Sequence, residues 1–262
     1  MIADGGDASY HAPMPTIPRG IDAFLFDMDG VLTDTARVHA AAWKQTFDEE
    51  LERLAREQGA PFVPFDLRTD YERYVDGRPR YDGVRAFLAS RGIERADVAD
   101  PRGPSVHELG DRKNVLLQQR LRTDGVDVHE DCVTLIRALR ARGHGTALVS
   151  SSANARTILE VAGVRDLFDV VVDGTSLAPR GLRGKPAPDS FVAAAGDLGA
   201  PVARAAVLED AVAGVAAGRA GGFGLVVGVA RHGEVDQLLA SGADVVVERL
   251  TDLELEGDPE HA

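Results

Sequence analysis

The half of the chain after about residue 128 alternates short apolar runs with segments of helical periodicity. The runs "TALV", "DVVV", "AAVL", "LVVGV" and "ADVVV" are apolar on both faces, and helical patterns of about ten residues separate them. Strands that alternate with helices indicate βαβ units, and runs without a polar face indicate burial between two helix layers. The sequence therefore predicts an α/β fold built on a parallel sheet.

A further apolar run, about Ile21 to Phe26, precedes a long stretch with helical patterns. That stretch begins with "ARVHAAAWKQTFDEELERLAREQG" and has two later segments of the same periodicity, and a glycine follows the first two of the three segments. We expect a core formed by residues 19–35 and 123–262, into which a small α-helical domain of residues 36–122 is inserted. Residues 1–18 are rich in Gly, Pro, Asp and Ala, so we expect a disordered arm there.

The composition excludes several classes of function. The chain of 262 residues has a formal net charge of -13, which disfavours binding to a nucleic-acid backbone, and its single cysteine excludes an intrachain disulfide framework. No apolar run has the length of a membrane span, and the N-terminus lacks the basic start and apolar run of a signal peptide. We therefore expect a cytoplasmic protein with neither a nucleic-acid nor a membrane partner and, by default, a monomer.

Polar residues follow the predicted strands at the sheet edge where ligands bind in open parallel sheets. Asp27 and Asp29 follow the first strand, Glu209 and Asp210 end the run "RAAVLED", and Lys185 lies in the loop "RGKPAPD". Four carboxylates at one point repel each other unless a cation neutralises them. Because histidine and cysteine are absent from this set, we expect a hard ion, and Mg²⁺ is the usual one.

These residue types predict phosphoryl transfer through an aspartyl-phosphate. One carboxylate can attack phosphorus, a second can move a proton, and a lysine and hydroxyls can hold phosphoryl oxygens. The sequence has neither a Walker loop nor a glycine-rich kinase loop. Each group also has a purely structural interpretation: the Asp-x-Asp-Gly as a turn, the serines as a helix cap, and Glu209 and Asp210 as favourable charges at a helix start.

The segments "DMDGVLTDT", "VSSSAN", "GKPAPD" and "LEDAVAG", in this order, resemble the four motifs of the haloacid dehalogenase superfamily. The resemblance spans about residues 21 to 230 and implies a Rossmann-like sheet. It implies that Asp27 is the nucleophile, that Asp29 is the general acid/base, and that Ser150 and Lys185 bind the transferring phosphoryl group. The implied Mg²⁺ ligands are Asp27, the backbone carbonyl of Asp29, Glu209 and Asp210.

The opening "FDMDGVLTDTARVHAAAWK" resembles that of the β-phosphoglucomutase family, which has a small helical cap after the first motif. This resemblance implies that Thr35 and His39 form a hinge pair that couples the acid/base to cap closure. It also implies contacts to a sugar phosphate from the cap and from the serine motif. The implied substrate-binding residues are Gly77, Arg80, Lys113, Asn114, Ser151, Ser152 and Asn154.

The family resemblance implies the Mg²⁺-dependent conversion of β-D-glucose 1-phosphate to D-glucose 6-phosphate through the 1,6-bisphosphate. A sugar-phosphate phosphatase is the alternative, because hydrolysis differs only in what accepts the phosphoryl group. A non-catalytic regulator that binds sugar phosphates is a third interpretation. Asp76 stands where the best-known mutases have lysine, and Ala153 where a lysine often occurs, so the sugar specificity stays open.

Overall fold

The structure is a computed structural model that describes residues 15–75 and 78–256. The chain divides into two compact units. The first, which we call the α/β unit, comprises the described residues up to Leu32, His129–Ala153 and the residues from Asp166 onward. The second, which we call the helical unit, comprises Thr33–Val128 and Asn154–Arg165.

Ten strands and nine α-helices occur in the described residues. The strands are β1 Thr16–Ile17, β2 Ala23–Phe26, β3 Thr33–Asp34, β4 Asp127–Val128, β5 Gly145–Val149, β6 Val170–Val172, β7 Ala205–Glu209, β8 Leu225–Val229, β9 Val245–Val247 and β10 Glu254–Leu255. The helices are α1 Ala36–Gln58, α2 Arg80–Ser90, α3 Val106–Asp124, α4 Glu130–Ala141, α5 Ala155–Val161, α6 Gly174–Leu177, α7 Asp189–Asp197, α8 Val212–Gly221 and α9 Val235–Ala240. A π-helical turn covers Tyr71–Val75, and 3-10 turns cover Arg165–Leu167, Val202–Arg204 and Leu250–Asp252.

The α/β unit is built on a six-stranded sheet with the strand order β6-β5-β2-β7-β8-β9, and every neighbouring pair is parallel. The predicted parallel sheet is therefore confirmed. The first long strand begins at Ala23, two residues later than the apolar run predicts. Strand β2 lies inside the sheet, between β5 and β7, and all of its residues are buried.

Alternate residues of β2 face two different packing layers, as the two-residue period of a strand requires. Ala23 and Leu25 belong to a core cluster that includes Phe191 of α7, Val215 of α8 and Leu238 of α9. Phe24 contacts the ring of His144, and Phe26 contacts the ring of Phe168, each edge to face. Both faces of the strand are therefore covered, which explains why its sequence has no polar position.

The predicted disordered arm of residues 1–18 falls mostly on residues 1–14, which lie outside the described residues. Thr16–Ile17 form β1 and pair in parallel with Glu254–Leu255 of β10. Ordered strand pairing therefore reaches into the predicted arm, which differs from the sequence prediction for these two residues.

The helical unit has a core of aromatic rings in contact with one another. Trp43 and Phe47, both on α1, stack with ring centroids 5.1 Å apart, and Phe47 contacts Phe65 and Phe87 with centroids at 5.3 and 4.1 Å. Helix α1 ends at Gly59, which has a left-handed conformation, as the glycine stop predicts. None of the described helices is both long and apolar enough to cross a membrane.

The bounds of the helical unit differ from the predicted insertion of residues 36–122. Strands β3 and β4 pair antiparallel where the chain begins and ends its first passage through this unit, so the passage covers 33–128. Residues 154–165 also belong to this unit, although the sequence assigned them to the core. The reason is that α5 packs against α3, and Gln118 Nε2 donates to the side-chain oxygen Oδ1 of Asn154 at 3.2 Å.

Candidate active site

The carboxylates of the α/β unit meet at the carboxyl ends of β2 and β7. Asp27 directly follows β2, and its backbone N–H donates to the carbonyl of Leu208 at 3.0 Å. Glu209 is the last residue of β7, and Asp210 follows it. One carboxylate oxygen from each of Asp27, Glu209 and Asp210 lies within 4.8 Å of the other two. We call these three residues together with Lys185 the carboxylate cluster.

Lys185 supplies the positive charge of the carboxylate cluster. Its ammonium donates to Asp27 Oδ1, to Glu209 Oε1 at 2.6 Å and to the carbonyl of Val149 at 3.2 Å, and it lies 4.8 Å from the ring centre of Phe191. Burial lowers the pKa of Lys185, but the negative charges of Asp27 and Glu209 outweigh that effect and hold the pKa above its usual value. The lysine therefore stays charged at neutral pH.

Negative charge in the carboxylate cluster exceeds what Lys185 neutralises. Burial raises the pKa of Asp27 well above its usual value, and the charges of Glu209, Asp210 and Asp29 add to the rise, although Lys185 opposes it. Burial and then the charge of Glu209 raise the pKa of Asp210 to about 7. A buried set of oxygen donors with uncompensated negative charge fits a hard divalent cation, so these residues fit Mg²⁺.

Two glycines make room for these carboxylates. Gly30 has a φ of +87°, and a Cβ at this position would clash with the Asp210 carboxylate. A Cβ at Gly214 would clash with the carboxylate of Glu209, whose Oε2 also accepts a hydrogen bond from the backbone of Ala211 at 2.8 Å. A side chain at either position would therefore displace a carboxylate of the cluster.

Asp29 lies two residues after Asp27, and the serine motif follows β5, the strand that pairs with β2. The charge of Asp29 contributes to the raised pKa values of Asp27 and Asp210, but among the described residues its carboxylate is not part of the group of three. Ser150 directly follows β5 and is buried, and its hydroxyl accepts from the backbone N–H of Ser152 at 3.1 Å. Ser151, between them, is exposed.

The helical unit brings a second set of predicted residues together. His39 lies in the first turn of α1, and its backbone N–H donates to the carbonyl of the buried Thr35 at 2.9 Å. His39 Nδ1 lies 3.2 Å from the ammonium of Lys113, which is buried and lies 4.9 Å from the ring centre of Trp43. A cation over an indole face is attracted by the ring quadrupole.

His39 is held in its neutral form. Burial, then the charges of Lys113 and Arg80, lower the pKa of His39 to about 3. Because an ammonium can only donate, Nδ1 accepts from Lys113 and the proton of the neutral ring is on Nε2. His39 Nε2 is buried and has no hydrogen-bond partner among the described residues. The Nε2–H group of His39 is therefore available to donate a hydrogen bond to a ligand oxygen.

A chain of amides connects α2, α3 and the start of α5. Arg80 Nη2 and Asn154 Nδ2 both donate to Asn114 Oδ1, at 3.1 and 3.0 Å. Gln118 Nε2 donates to Asn154 Oδ1 at 3.2 Å. We call this chain and the His39–Lys113 pair the Lys113 cluster, whose members are His39, Arg80, Lys113, Asn114, Gln118 and Asn154. Gly77, the remaining predicted substrate contact, lies outside the described residues.

Sequence reasoning missed two contributors to the Lys113 cluster. Gln118 holds the Asn154 side chain, and it lies four residues after Asn114 on α3, so helical spacing could have identified it. Trp43 belongs to the aromatic core of the helical unit, and its ring also lies against the ammonium of Lys113. No pattern in the sequence indicates that second contact.

Comparisons with known proteins agree with this architecture. Residues 21–222 match the profile of the haloacid dehalogenase-like hydrolases. The β-phosphoglucomutase of Mycobacterium tuberculosis (strain CDC 1551 / Oshkosh) is 49% identical over 243 residues, which cover 90% of this chain and 93% of that protein. Fructose-1-phosphate phosphatase YqaB of Escherichia coli (strain K12) is 29% identical over 206 residues, which cover 77% of this chain and 93% of the phosphatase.

Among solved structures, a putative β-phosphoglucomutase from Thermotoga maritima superposes with a TM-score of 0.68 at 21% identity, over 88% of this chain and 95% of that one. The parallel sheet and the carboxylates at its strand ends thus define an α/β enzyme. The chain belongs to the haloacid dehalogenase-like hydrolase family.

Proposed function

We propose that this enzyme is a β-phosphoglucomutase that converts β-D-glucose 1-phosphate to D-glucose 6-phosphate. The observation that carries the proposal is the 49% identity to a mycobacterial β-phosphoglucomutase across 90% of this chain. The geometry of the carboxylate cluster supports phosphoryl transfer, because a buried carboxylate at a strand end lies beside a lysine that can neutralise charge.

In this proposal Asp27 carries the phosphoryl group. Phosphorylated Asp27 passes the group to the 6-hydroxyl of β-glucose 1-phosphate while Asp29 takes the hydroxyl proton, which gives the 1,6-bisphosphate. After the bisphosphate turns over, Asp27 attacks the phosphorus at carbon 1, and Asp29 returns the proton to the leaving oxygen. Lys185 and Ser150 hold the phosphoryl oxygens during both transfers.

Mg²⁺ would be held by Asp27, Asp210 and the backbone carbonyl of Asp29. When bound, the ion neutralises the negative charge that gathers around the transferring phosphoryl group. Glu209 was also expected to be a ligand, but both of its oxygens accept hydrogen bonds, one from Lys185 and one from the backbone of Ala211. We therefore propose that Glu209 contributes chiefly by holding Lys185 against Asp27.

We propose that the Lys113 cluster recognises the sugar and its second phosphate. Arg80 and Lys113 supply positive charge, and an arginine fork suits phosphate geometry. Asn114 has its carbonyl oxygen occupied by two donors, so its NH₂ group is the part that can donate to substrate. The same recognition role is proposed for Gly77, Asn154 and the serines at 151 and 152, and Thr35 and His39 are proposed as the hinge pair.

A sugar-phosphate phosphatase is the second candidate. The similarity of this chain to a fructose-1-phosphate phosphatase favours it. In a phosphatase, water in place of the sugar hydroxyl takes the phosphoryl group from Asp27. Ala153, at a position where a lysine often occurs, would leave the sugar phosphate with one cationic contact fewer.

The product ratio distinguishes the two candidates. The enzyme is given β-glucose 1-phosphate, Mg²⁺ and a trace of the 1,6-bisphosphate, and glucose 6-phosphate and free phosphate are measured together. The proposal predicts glucose 6-phosphate in large excess over free phosphate, and loss of both products in Asp27→Asn. Free phosphate without glucose 6-phosphate contradicts the mutase and favours the phosphatase. If the unaltered enzyme forms neither product, the result favours a non-catalytic regulator.

A further inference from the structure

Arg231 contacts the loop that carries Asp29. This arginine lies two residues beyond the end of β8, and its side chain is 13% exposed. Its Nε donates to the carbonyl of Gly30 at 2.7 Å, and its Nη2 donates to the carbonyl of Val31 at 2.9 Å. These are the two carbonyls that directly follow Asp29 in the chain. One guanidinium therefore fixes two consecutive peptide planes of this loop.

Asp131 holds the guanidinium of Arg231 in place. Its two carboxylate oxygens accept from Nη1 and Nη2 of Arg231, each at 3.2 Å, and Oδ2 also accepts from the backbone N–H of Leu250 at 2.7 Å. Burial works to raise the pKa of Asp131, but these hydrogen bonds outweigh it and the pKa is lowered. The carboxylate is therefore charged at neutral pH, and it accepts from the guanidinium in a two-pronged pair that fixes the orientation of the guanidinium.

The loop itself is short and closed. The backbone N–H of Leu32 donates to the carbonyl of Met28 at 2.9 Å, and the Val31 and Leu32 side chains are fully buried. The Leu32 carbonyl in turn accepts from the backbone of His129 at 2.9 Å. Backbone hydrogen bonds thus hold the loop at the carbonyls of Met28 and Leu32. Between these two points, Arg231 holds the carbonyls of Gly30 and Val31.

We propose that Arg231, oriented by Asp131, is a positioning residue that fixes the direction of the Asp29 side chain for proton transfer. The inference rests on the proposed role of Asp29 as the acid/base. Proton transfer requires hydrogen-bond reach, and a displacement of about 1 Å can slow a reaction about 100-fold. Arginine is required because a lysine ammonium cannot span two carbonyls and a carboxylate with a planar fork.

The test compares two phosphoryl donors that differ in their need for a proton. In both, a bond forms between an Asp27 oxygen and phosphorus while the bond from phosphorus to the leaving oxygen breaks. When a sugar phosphate is the donor, the leaving sugar oxygen takes a proton from Asp29. When acetyl phosphate is the donor, the leaving group is acetate, a stable anion that needs no proton. Misplacement of Asp29 therefore slows the first donor selectively, while a general loss of folded enzyme slows both donors equally.

We expect Arg231→Gln to lower kcat with the sugar phosphate about 10- to 100-fold at an unchanged KM. It should lower the single-turnover rate at which acetyl phosphate phosphorylates Asp27, measured as acetate release before the aspartyl-phosphate is hydrolysed, by less than about 3-fold. Asp131→Asn should shift the ratio of the two rates in the same direction by a smaller factor. The matched control is Arg219→Gln, which removes an exposed arginine whose partner is Asp244 at 3.2 Å, and it should leave both rates unchanged. Equal losses with both donors, or no loss with either, overturn the inference.

The sugar-phosphate arm uses β-glucose 1-phosphate or fructose 1-phosphate, whichever the unaltered enzyme turns over. If free phosphate is the product, the proposed mutase activity is wrong. The ratio of the rates with the two phosphoryl donors can still be measured for Arg231→Gln. Hydrogen exchange provides a second measurement that needs no turnover. Amides of the segment 28–32 should exchange faster in Arg231→Gln than in Arg219→Gln, and equal exchange contradicts the inference.

Discussion

The carboxylate cluster and the Lys113 cluster are two polar sites of opposite charge that are built in different ways. In the carboxylate cluster the side chains follow strand ends, so the register of a buried sheet sets their positions. In the Lys113 cluster the side chains come from helix faces and from the start of α5, and aromatic packing and side-chain amides hold them. The first cluster has an excess of negative charge, while in the second the Lys113 ammonium lies beside the neutral His39 ring and the Trp43 indole.

This difference predicts different responses to substitution, pH and ligands. A buried anionic cluster depends on its single lysine, because removal of that charge leaves carboxylates unpaired in a medium of low polarity. A cationic cluster packed on rings and amides depends more on shape than on charge balance. The chemistry is therefore expected to be sensitive to the first cluster and the choice of substrate to the second.

The largest expected effect is on turnover in the carboxylate cluster. Asp27→Asn should lower turnover of β-glucose 1-phosphate by at least about 10⁴-fold, because the attacking carboxylate is lost. The same change should not lower the melting temperature, since burial raises the pKa of Asp27 and its ionised form is unfavourable in the folded protein. The exposed Asp197→Asn is the control. Substantial turnover by Asp27→Asn would show that another residue carries the phosphoryl group.

Paired lysine substitutions test the two clusters against each other. Without its ammonium, Lys185→Met leaves Asp27 and Glu209 unpaired and should lower the free energy of unfolding by about 3–5 kcal/mol at neutral pH. Lys113→Met should lower it by less than Lys185→Met does, because methionine is of similar size and keeps the packing against the Trp43 ring. Urea unfolding in the presence of a chelator measures both. Equal losses would contradict the contrast between the clusters.

The two clusters should also contribute to acid stability with opposite signs. The pKa of Asp210 is raised from 3.8 to about 7, so its stabilising contribution is present at low pH and is lost as pH rises through that range. The pKa of His39 is lowered from 6.5 to about 3, so its contribution is lost as pH falls from 6.5 towards 3. The free energy of unfolding measured against pH with a chelator present shows both terms.

Between pH 4 and about 7, Asp210→Asn should therefore make stability increase more steeply with pH, and His39→Gln should make it increase less steeply. Added Mg²⁺ should act like Asp210→Asn, because a bound cation lowers the pKa of a carboxylate. Slopes that neither substitution changes would show that these groups titrate at their usual values.

The smallest expected effect is spectroscopic. Trp43 is the only tryptophan in the sequence, and its ring lies 4.9 Å from the ammonium of Lys113, so its fluorescence reports on the Lys113 cluster. Mg²⁺ alone should leave the emission unchanged, whereas a sugar phosphate should change it. Lys113→Met should change the emission of the free protein. A response to Mg²⁺ as large as the response to sugar phosphate would contradict separate roles for the two clusters.

Sequence reasoning predicted the sheet and the carboxylate cluster because strand ends in a parallel sheet share one edge. Asp27 and Glu209 come together for that reason although 182 positions separate them in the sequence. The hydrogen bonds that occupy both oxygens of Glu209 could not be predicted, since they depend on the path of the Lys185 loop and the turn after β7.

The rest of the site depends on tertiary packing that no local pattern records. His39 meets Lys113 only because α1 and α3 pack face to face, and Asn154 joins the helical unit because α5 packs on α3. Arg231 lies 201 positions after Gly30 and contacts a backbone carbonyl, which any residue would offer. Helix-face and side-chain-to-backbone contacts of this kind leave no periodicity or spacing in the sequence.

The most direct test of the division between the two clusters follows the phosphoryl group and the product in the same samples. The unaltered enzyme and Arg80→Gln are mixed with β-glucose 1,6-bisphosphate and Mg²⁺ and quenched, the phosphorylated residue is identified by mass spectrometry, and glucose 6-phosphate and free phosphate are measured. The account predicts phosphate on Asp27 in both proteins and a lower ratio of glucose 6-phosphate to free phosphate in Arg80→Gln. Phosphate on another residue, or an unchanged product ratio in Arg80→Gln, would contradict it.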